Sequence, residues 1–298
     1  MMLNDLLKSG ILRKNVNITI LHSGLPKRNV MVDIAETINA SLIELGFDSS
    51  VSDNNIYTDS HVTNIILLCH LIYEPDMVLL DERSIILNLE QLSSWQSLEY
   101  RKKSFYRIIY LASKCQVWDY SHKNIELFNS FGLNHIKYFQ LGYSPVMRKV
   151  PENEHKDIDV LFYGSLNERR INIINELKER GYNALYLENT WGNELDQYIS
   201  RSKIVLNMHY YDAQIFEIAR CYYLMSNSIA VVSELNYSTY IDETEYLEGI
   251  VAVPYERLVD KCCELLDNPE ELIRLRKKAL ATIQRFPQSE IMKKLLIA

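Results

Sequence analysis

Short apolar runs alternate with longer amphipathic stretches along most of the chain. Asn17-Ile-Thr-Ile-Leu-His22 is rich in β-branched residues and stops at Ser23-Gly24, which predicts a first strand. Over residues 30–45 apolar side chains recur at helical spacing until Gly46, a residue type that ends helices. Residues 63–70 and 84–90 are continuous apolar runs of strand length, the pattern of parallel strands buried on both faces. An aromatic and basic segment over 96–112 predicts a helix, and Cys115-Gln-Val-Trp-Asp-Tyr120 another short strand. Ser121 then caps a helix over 124–131, Gly132 ends it, and residues 136–142 close the half as a strand.

Residues 144–156 carry two prolines and several charges with no apolar period, which marks a linker. Beyond it the alternation restarts, with strands over 158–164, 184–187, 203–208, 229–233 and 250–253. Helices fall over 168–180, 193–201 and 214–226, and again between 256 and 285. Two successive β/α alternations predict an α/β protein of two Rossmann-like domains facing each other across a cleft. The expected division is 1–146 and 147–298, with the last helix packing back on the first domain. No shorter internal repeat is present.

Bulk composition narrows the function classes only a little. The 298 residues suffice for two domains of about 150 residues each. Hydrophobic content of 47% and charged content of 24% are those of a globular protein. A net charge of −7 argues against an extended polyanion as the main partner, so no nucleic acid is expected. The five cysteines, Cys69, Cys115, Cys221, Cys262 and Cys263, show no C-x-x-C spacing and read as reduced structural thiols. With no transmembrane-length apolar run and no secretory signal pattern, the expected location is the cytoplasm.

Chemistry concentrates in two blocks of the second half. Asp159-Val-Leu-Phe-Tyr-Gly-Ser-Leu-Asn-Glu-Arg-Arg170 reads as a buried strand, a glycine turn and a basic helix start. Ser202-Lys-Ile-Val-Leu-Asn207 is a strand, followed by a polar loop and a helix that carries Glu217. Both blocks place polar groups at the C-terminal ends of parallel strands, where open α/β sheets bind ligands. Asp157-Ile-Asp159 has the form of a metal-binding D-x-D pair, but it starts a strand beside the linker and reads as structural; no metal is expected. No G-x-G-x-x-G follows the first strand, which argues against a nicotinamide oxidoreductase.

Residues 158–290 resemble the C-terminal domain of GT-B glycosyltransferases of the group-1 and CgeB-like kinds. The resemblance rests on Phe162-Tyr-Gly-Ser165 with Glu168-Arg-Arg170, Ile204-Val-Leu-Asn207, Phe216-Glu-Ile-Ala219, Ala230-Val-Val-Ser-Glu234 and Leu265-Leu-Asp-Asn-Pro-Glu-Glu-Leu272. It implies a metal-independent transferase that moves a sugar from a nucleotide-sugar donor, UDP- or GDP-linked, to a glycan or other hydroxyl acceptor, with no further cofactor. In such a site Glu217 accepts hydrogen bonds from ribose hydroxyls, a task suited to an acceptor-only carboxylate. Gly164 and Ser165 let the backbone approach the ligand. Arg169 or Arg170, the latter by analogy, neutralises the leaving diphosphate, and Asn207 contacts the ligand from the strand end. The retaining enzymes of group 1 carry a second glutamate eight positions before the first; here that position is His209, which either hydrogen-bonds sugar hydroxyls or diphosphate or packs between Met208 and Tyr210, and which leaves the stereochemical outcome open.

The first half then supplies the acceptor side and a base. His22, His70 and Glu90 each end a predicted strand and are the candidates. Three rival readings share the architecture: a nucleotide-sugar epimerase or phosphorylase, a non-catalytic nucleotide-sugar-binding protein, and a DNA-modifying glucosyltransferase. The last calls for a basic face on the first domain, and Arg101-Lys-Lys103 with Lys27-Arg28 is a small supply.

Overall fold

A computed structural model describes residues 3–22, 28–210 and 215–297. The Ser23-Gly24 turn, Lys27 and the loop 211–214 named above lie outside these residues. The chain divides into two compact units, Met1–Ser144 with Pro287–Ala298, and Pro145–Phe286.

Unit 1 opens with the short helix α1 (Leu3–Leu7), then β1 (Asn15–Ile20), α2 (Arg28–Glu44), β2 (Asp48–Asp53) and β3 (Val62–Leu67). After β3 come 3-10 turns at Cys69–Leu71 and Glu74–Leu79, then β4 (Ile85–Asn88), α3 (Leu92–Ser97) and α4 (Glu99–Ala112). The unit continues with β5 (Gln116–Asp119), α5 (His122–Ser130) and β6 (Lys137–Tyr138). The sheet is wholly parallel in the order β2-β1-β3-β4-β5-β6. All but the first residue of β1 and of β3 are buried, as their unbroken apolar pattern requires.

Unit 2 contains β7 (Ile158–Tyr163), α6 (Glu168–Glu179), β8 (Ala184–Leu187), α7 (Gly192–Arg201) and β9 (Ser202–Asn207). It continues with α8 (Ile218–Ser226), β10 (Val231–Glu234), β11 (Val251–Val253), α9 (Leu258–Leu266) and α10 (Pro269–Ile283). Its parallel sheet has the order β11-β10-β9-β7-β8. Phe162, Ile204, Leu206 and Val232 from the strands pack with Leu177, Leu258 and Cys262 from the helices to form its core. The last helix, α11 (Gln288–Ile297), packs on α2 in unit 1. There the Gln288 side chain accepts from Gly142 N at 2.6 Å and donates to Gln140 O at 3.1 Å.

Several expected elements shift for identifiable reasons. The predicted helix over 96–112 is two helices, broken where Leu98 is extended. The strand expected over 136–142 shortens to two residues at the sheet edge. The helix carrying Glu217 begins one residue after it, so Glu217 is its N-cap. Strand β2 was not anticipated: Asp-Ser-Ser-Val-Ser-Asp is polar, and the strand lies at an edge with its side chains largely exposed. Part of the predicted linker is anchored to unit 2, since Asn227 Oδ1 accepts from Lys149 N and Val150 N and Asn227 Nδ2 donates to Met147 O. All five cysteines are free thiols, and four are buried. Among the described residues no helix is long and apolar enough to cross a membrane.

Both sheets share one topological feature. Counting within each unit, the strand order is 2-1-3-4-5, with a sixth strand following in unit 1, and the chain reverses direction across the sheet between the first and third strands. Crossover connections leave these strands on opposite sides at that point, so a crevice opens at their C-terminal ends. In unit 2 the reversal lies between β7 and β9; in unit 1 it lies between β1 and β3.

Candidate functional site

The β7/β9 crevice gathers the two chemistry-bearing blocks of the sequence. Chain leaving β7 turns at Gly164, whose φ of +126° disfavours any side chain, and a Cβ there would lie 3.1 Å from Arg220 Nη2. Helix α6 then starts, capped by Asn167, which accepts from Arg170 N at 3.1 Å. Across the crevice, β9 ends in the fully buried Asn207. Its Nδ2 donates to Ser233 Oγ at 2.9 Å and more weakly to Glu217 Oε2 at 3.3 Å, and its Oδ1 accepts from Arg220 Nη1 at 2.5 Å. Asn207 thus ties together β9, β10 and the start of α8.

Glu217 and Arg220 stand three residues apart around α8, which places them on one face of that helix. The Glu217 carboxylate does not cap its own helix. It turns instead to His209, whose Nδ1 lies 2.8 Å from Oε2, at ion-pair distance though poorly angled for a hydrogen bond. His209 is buried, and its Nε2 is 2.9 Å from Thr239 Oγ1. Burial pulls the Glu217 pKa upward, but His209, Arg220 and Arg170 together outweigh it and hold the carboxyl below its ordinary range. Oε1 has no hydrogen bond among the described residues.

The two adjacent arginines are both engaged in building this crevice. Arg170, expected to face a diphosphate, is only 3% exposed. Its Nε donates to His209 O at 3.2 Å, Nη1 to Ser165 O at 2.8 Å, and Nη2 to Met208 O. It is a positioning residue that laces the Gly164-Ser165 turn to the end of β9. Burial, aided by Arg220, lowers its pKa to about 10. Arg169 makes a two-pronged pair with Glu234, with both N–O distances at 2.7 Å, and its guanidinium lies 4.1 Å from the Tyr255 ring centre. Glu234 is fully buried and also accepts from His209 N at 2.9 Å and Asn236 Nδ2 at 2.6 Å. Burial raises its pKa, yet Arg169 and the other donors bring it below the ordinary carboxylate range.

Arg220 was not singled out in the sequence, although its position three residues after Glu217 was a signal for it. It is half-buried, and its Nε has no partner among the described residues. Three guanidinium groups meet two carboxylates here, so the crevice carries an excess of positive charge suited to an anion. Ser165 itself is exposed at the rim. The Asp157-Ile-Asp159 pair lies at the opposite end of β7, where Asp157 pairs with Arg201 and Asp159 with Lys203.

In unit 1, His22, His70 and Glu90 follow the ends of the neighbouring strands β1, β3 and β4. The backbone of His22 is clamped by Asn54: His22 N donates to Oδ1 at 2.8 Å and His22 O accepts from Nδ2 at 2.9 Å. Its Nδ1 is buried with no hydrogen-bond partner among the described residues. His22 lines a pocket of about 690 Å³ together with Ile56, Ile72, Tyr73, Glu74 and Arg107. His70 is buried, edge-on to Trp95 with ring centres 4.9 Å apart, in a 3-10 turn entered through Leu68 at the left-handed φ of +57°. His70 and Glu90 border one small, partly open hollow of about 10 Å³, the size that holds a single water. Beside them Asp119 is fully buried and accepts from Asn88 Nδ2 at 2.6 Å, Ser121 N at 2.9 Å and Asn124 Nδ2 at 3.1 Å.

Comparison with solved structures shows this arrangement to be the GT-B architecture of two Rossmann-like units. HepE of Anabaena, solved with UDP and glucose, matches with a TM-score of 0.58 at 11% identity over 93% of this chain and 97% of its own. T4 phage BGT with its UDP-glucose substrate matches at 0.57 and 11% identity over 95% and 100%. A DNA-modifying β-glucosyltransferase solved with and without uridine diphosphoglucose matches at 0.54 and 10% identity over 95% and 100%. No family model matches the sequence. Among curated proteins, the uncharacterized protein R358 of Acanthamoeba polyphaga mimivirus is 34% identical over 62% of this chain and 63% of its own length. The uncharacterized protein L140 of the same virus is 28% identical over 69% and 66%. The chain therefore spans less than two thirds of the length of these relatives.

Proposed function

We propose that the chain is a glycosyltransferase that moves a sugar from a nucleoside-diphosphate donor to an acceptor hydroxyl. The observation that carries this reading is the positively biased cluster of Glu217, Arg220, Asn207 and His209 at the β7/β9 crevice. It occurs in a fold whose solved likenesses include proteins bound to UDP and UDP-glucose. Glu217 Oε1 takes the ribose hydroxyls, held ionised and oriented by His209 and Asn207. Arg220, rather than the enclosed Arg170, presents its guanidinium to the diphosphate and offsets the charge that grows as the glycosidic bond breaks.

The acceptor side falls to unit 1. His22 is the leading base because its ring stands in an open pocket with an unpartnered buried nitrogen, whereas the buried His70 ring packs against Trp95. A base there takes the acceptor proton as the oxygen attacks the anomeric carbon. The D-x-D pair is ion-paired at the N-terminal end of β7, away from the crevice, which favours a mechanism that does not use it for a metal.

Nucleic acid as acceptor is a second reading, favoured by the likeness to a DNA-modifying enzyme. Against it, Lys102 pairs with Glu99, and Lys103 shares the single carboxylate of Glu74 with Arg107, which offsets part of the positive charge on the segment expected to supply it. The deciding experiment is calorimetric titration with UDP, GDP, CMP and dTDP, wild type beside Glu217→Ala, followed by transfer assays on glycan and DNA acceptors. Saturable binding of one nucleotide, lost in the variant, supports the donor site. No binding by any of them removes the transferase reading.

A further inference from the structure

The turn that follows β10 reaches the donor crevice through one side chain. Over residues 236–239 the chain folds back on itself: Thr239 N donates to Asn236 O at 3.0 Å, and Asn236 N donates to Thr239 Oγ1 at 3.0 Å. The turn is fastened at its base, where Asn236 Nδ2 donates to Glu234 Oε1 at 2.6 Å and Asn236 Oδ1 accepts from Tyr255 N at 3.1 Å. Tyr237 and Ser238 at the tip are exposed, whereas Thr239 is half-buried and sets its Oγ1 2.9 Å from His209 Nε2. Across the same ring, His209 Nδ1 lies 2.8 Å from Glu217 Oε2. His209 is 1% exposed, so both ring nitrogens depend on partners inside the protein. The ring thus links the turn to the carboxylate expected to meet the donor.

We propose that Thr239 is a positioning residue which, through His209, fixes the Glu217 carboxylate for ribose hydroxyls and so sets a preference for ribonucleotide over 2′-deoxyribonucleotide donors. The proposal rests on the donor reading given above. Proton placement follows from the contacts. Glu217 is held ionised by His209, Arg220 and Arg170 despite its burial. A bare ring nitrogen 2.8 Å from an anionic oxygen would set two lone pairs against each other, so Nδ1 carries a proton. Nε2 then accepts from the Thr239 hydroxyl when the ring is neutral and donates to it when the ring is charged. A hydroxyl serves in both directions; a valine of the same shape serves in neither. Glu217 Oε2 is engaged by His209 and, more weakly, by Asn207 Nδ2 at 3.3 Å, while Oε1 has no hydrogen bond among the described residues. A carboxylate held by one oxygen presents the other in a fixed direction. A site built to hydrogen-bond a hydroxyl disfavours the analogue that lacks it, because the protein group is then left unpaired. That discrimination weakens once the carboxylate is free to turn.

The test is titration of the full chain with UDP, 2′-deoxy-UDP, GDP and 2′-deoxy-GDP, together with NMR spectra of ¹⁵N-labelled histidine. Wild type is compared with Thr239→Val, Thr239→Ser, His209→Asn and the double variant His209→Asn, Thr239→Val. Wild type should bind one ribonucleotide about tenfold more tightly than its deoxy counterpart. Thr239→Val should bring that ratio close to one, and Thr239→Ser should restore it. Asparagine at 209 keeps a donor in the place of Nδ1 and has nothing in the place of Nε2, so adding Thr239→Val to it should cost no further affinity. The histidine spectrum, assigned by the signal missing in His209→Asn, should show a proton on Nδ1. A ratio that survives Thr239→Val would overturn the proposal. So would an equal loss in both backgrounds, which would reduce Thr239 to its bond with Asn236 N. A His209 ring protonated at Nε2 alone would overturn it without any variant, which keeps the proposal open to refutation even if Thr239→Val does not fold. Wild type that binds none of the four nucleotides removes the donor reading itself, whereas binding with no preference for ribose removes only the role given to Thr239.

Discussion

The two strand-reversal crevices have the same topology and opposite chemistry. At β7/β9 in unit 2, charged groups are engaged before any ligand arrives: Arg170 on three carbonyls, Arg169 on Glu234, and Arg220 on Asn207. At β1/β3 in unit 1, the corresponding edge holds an open pocket and a histidine nitrogen with no partner among the described residues. One buried polar network of this unit, centred on Asp119, lies two strands away, and another joins Asn17 of β1 to Asn64 of β3 by uncharged side chains. Topology supplies a crevice to each sheet, but it is the local polar network that decides whether the crevice is rigid and charged or open and adaptable.

Substitutions can break this comparison, and the largest effect is expected at Arg170. Arg170→Met leaves three carbonyls in a buried loop without their donor, and should lower stability by about 3–5 kcal/mol, read by denaturant unfolding. If unfolding is unchanged, the lacing role assigned to Arg170 is wrong. Next comes Glu217→Ala. Wild type at a nucleotide concentration 100 times Kd should gain about 2.7 kcal/mol of stability, and the variant should show almost none of that thermal shift.

Asp119→Ala probes unit 1 in the same way. It deprives three donors of their shared acceptor and should cost about 2–3 kcal/mol, while leaving nucleotide binding intact because the two networks lie in different units. Gly164→Ala should cost about 1–2 kcal/mol through backbone strain at a left-handed position. It should also weaken nucleotide binding, because the new Cβ meets the Arg220 guanidinium.

A separate effect concerns pH, at Glu243 in unit 2, outside both crevices. Burial raises its pKa from 4.5 to about 8, and its Oε1 has no hydrogen-bond partner among the described residues. The folded form therefore holds a proton that the unfolded chain releases. Glu243 contributes full stability below its unfolded pKa, and this is lost as pH rises through about 8. The slope is about 1 kcal/mol per pH unit, and Glu243→Gln should flatten it in melts recorded between acidic and alkaline buffers.

The sequence by itself determined the alternation of strands and helices, because apolar runs and amphipathic periods report how deeply each segment is buried. It also marked Gly164 and Glu217, where a turn and a carboxylate follow strand ends. It did not reveal β2, whose polar edge carries no burial pattern. Only the tertiary structure decided that β7 lies beside β9, since strand order depends on pairing between segments that are not consecutive in the chain. The same holds for the arginines. Arg170 turns inward because carbonyls of Ser165, Met208 and His209 converge on it, and Arg220 reaches Asn207 because α8 sets it one turn beyond Glu217. A side chain's charge is written in the sequence; its direction depends on partners that folding alone brings near.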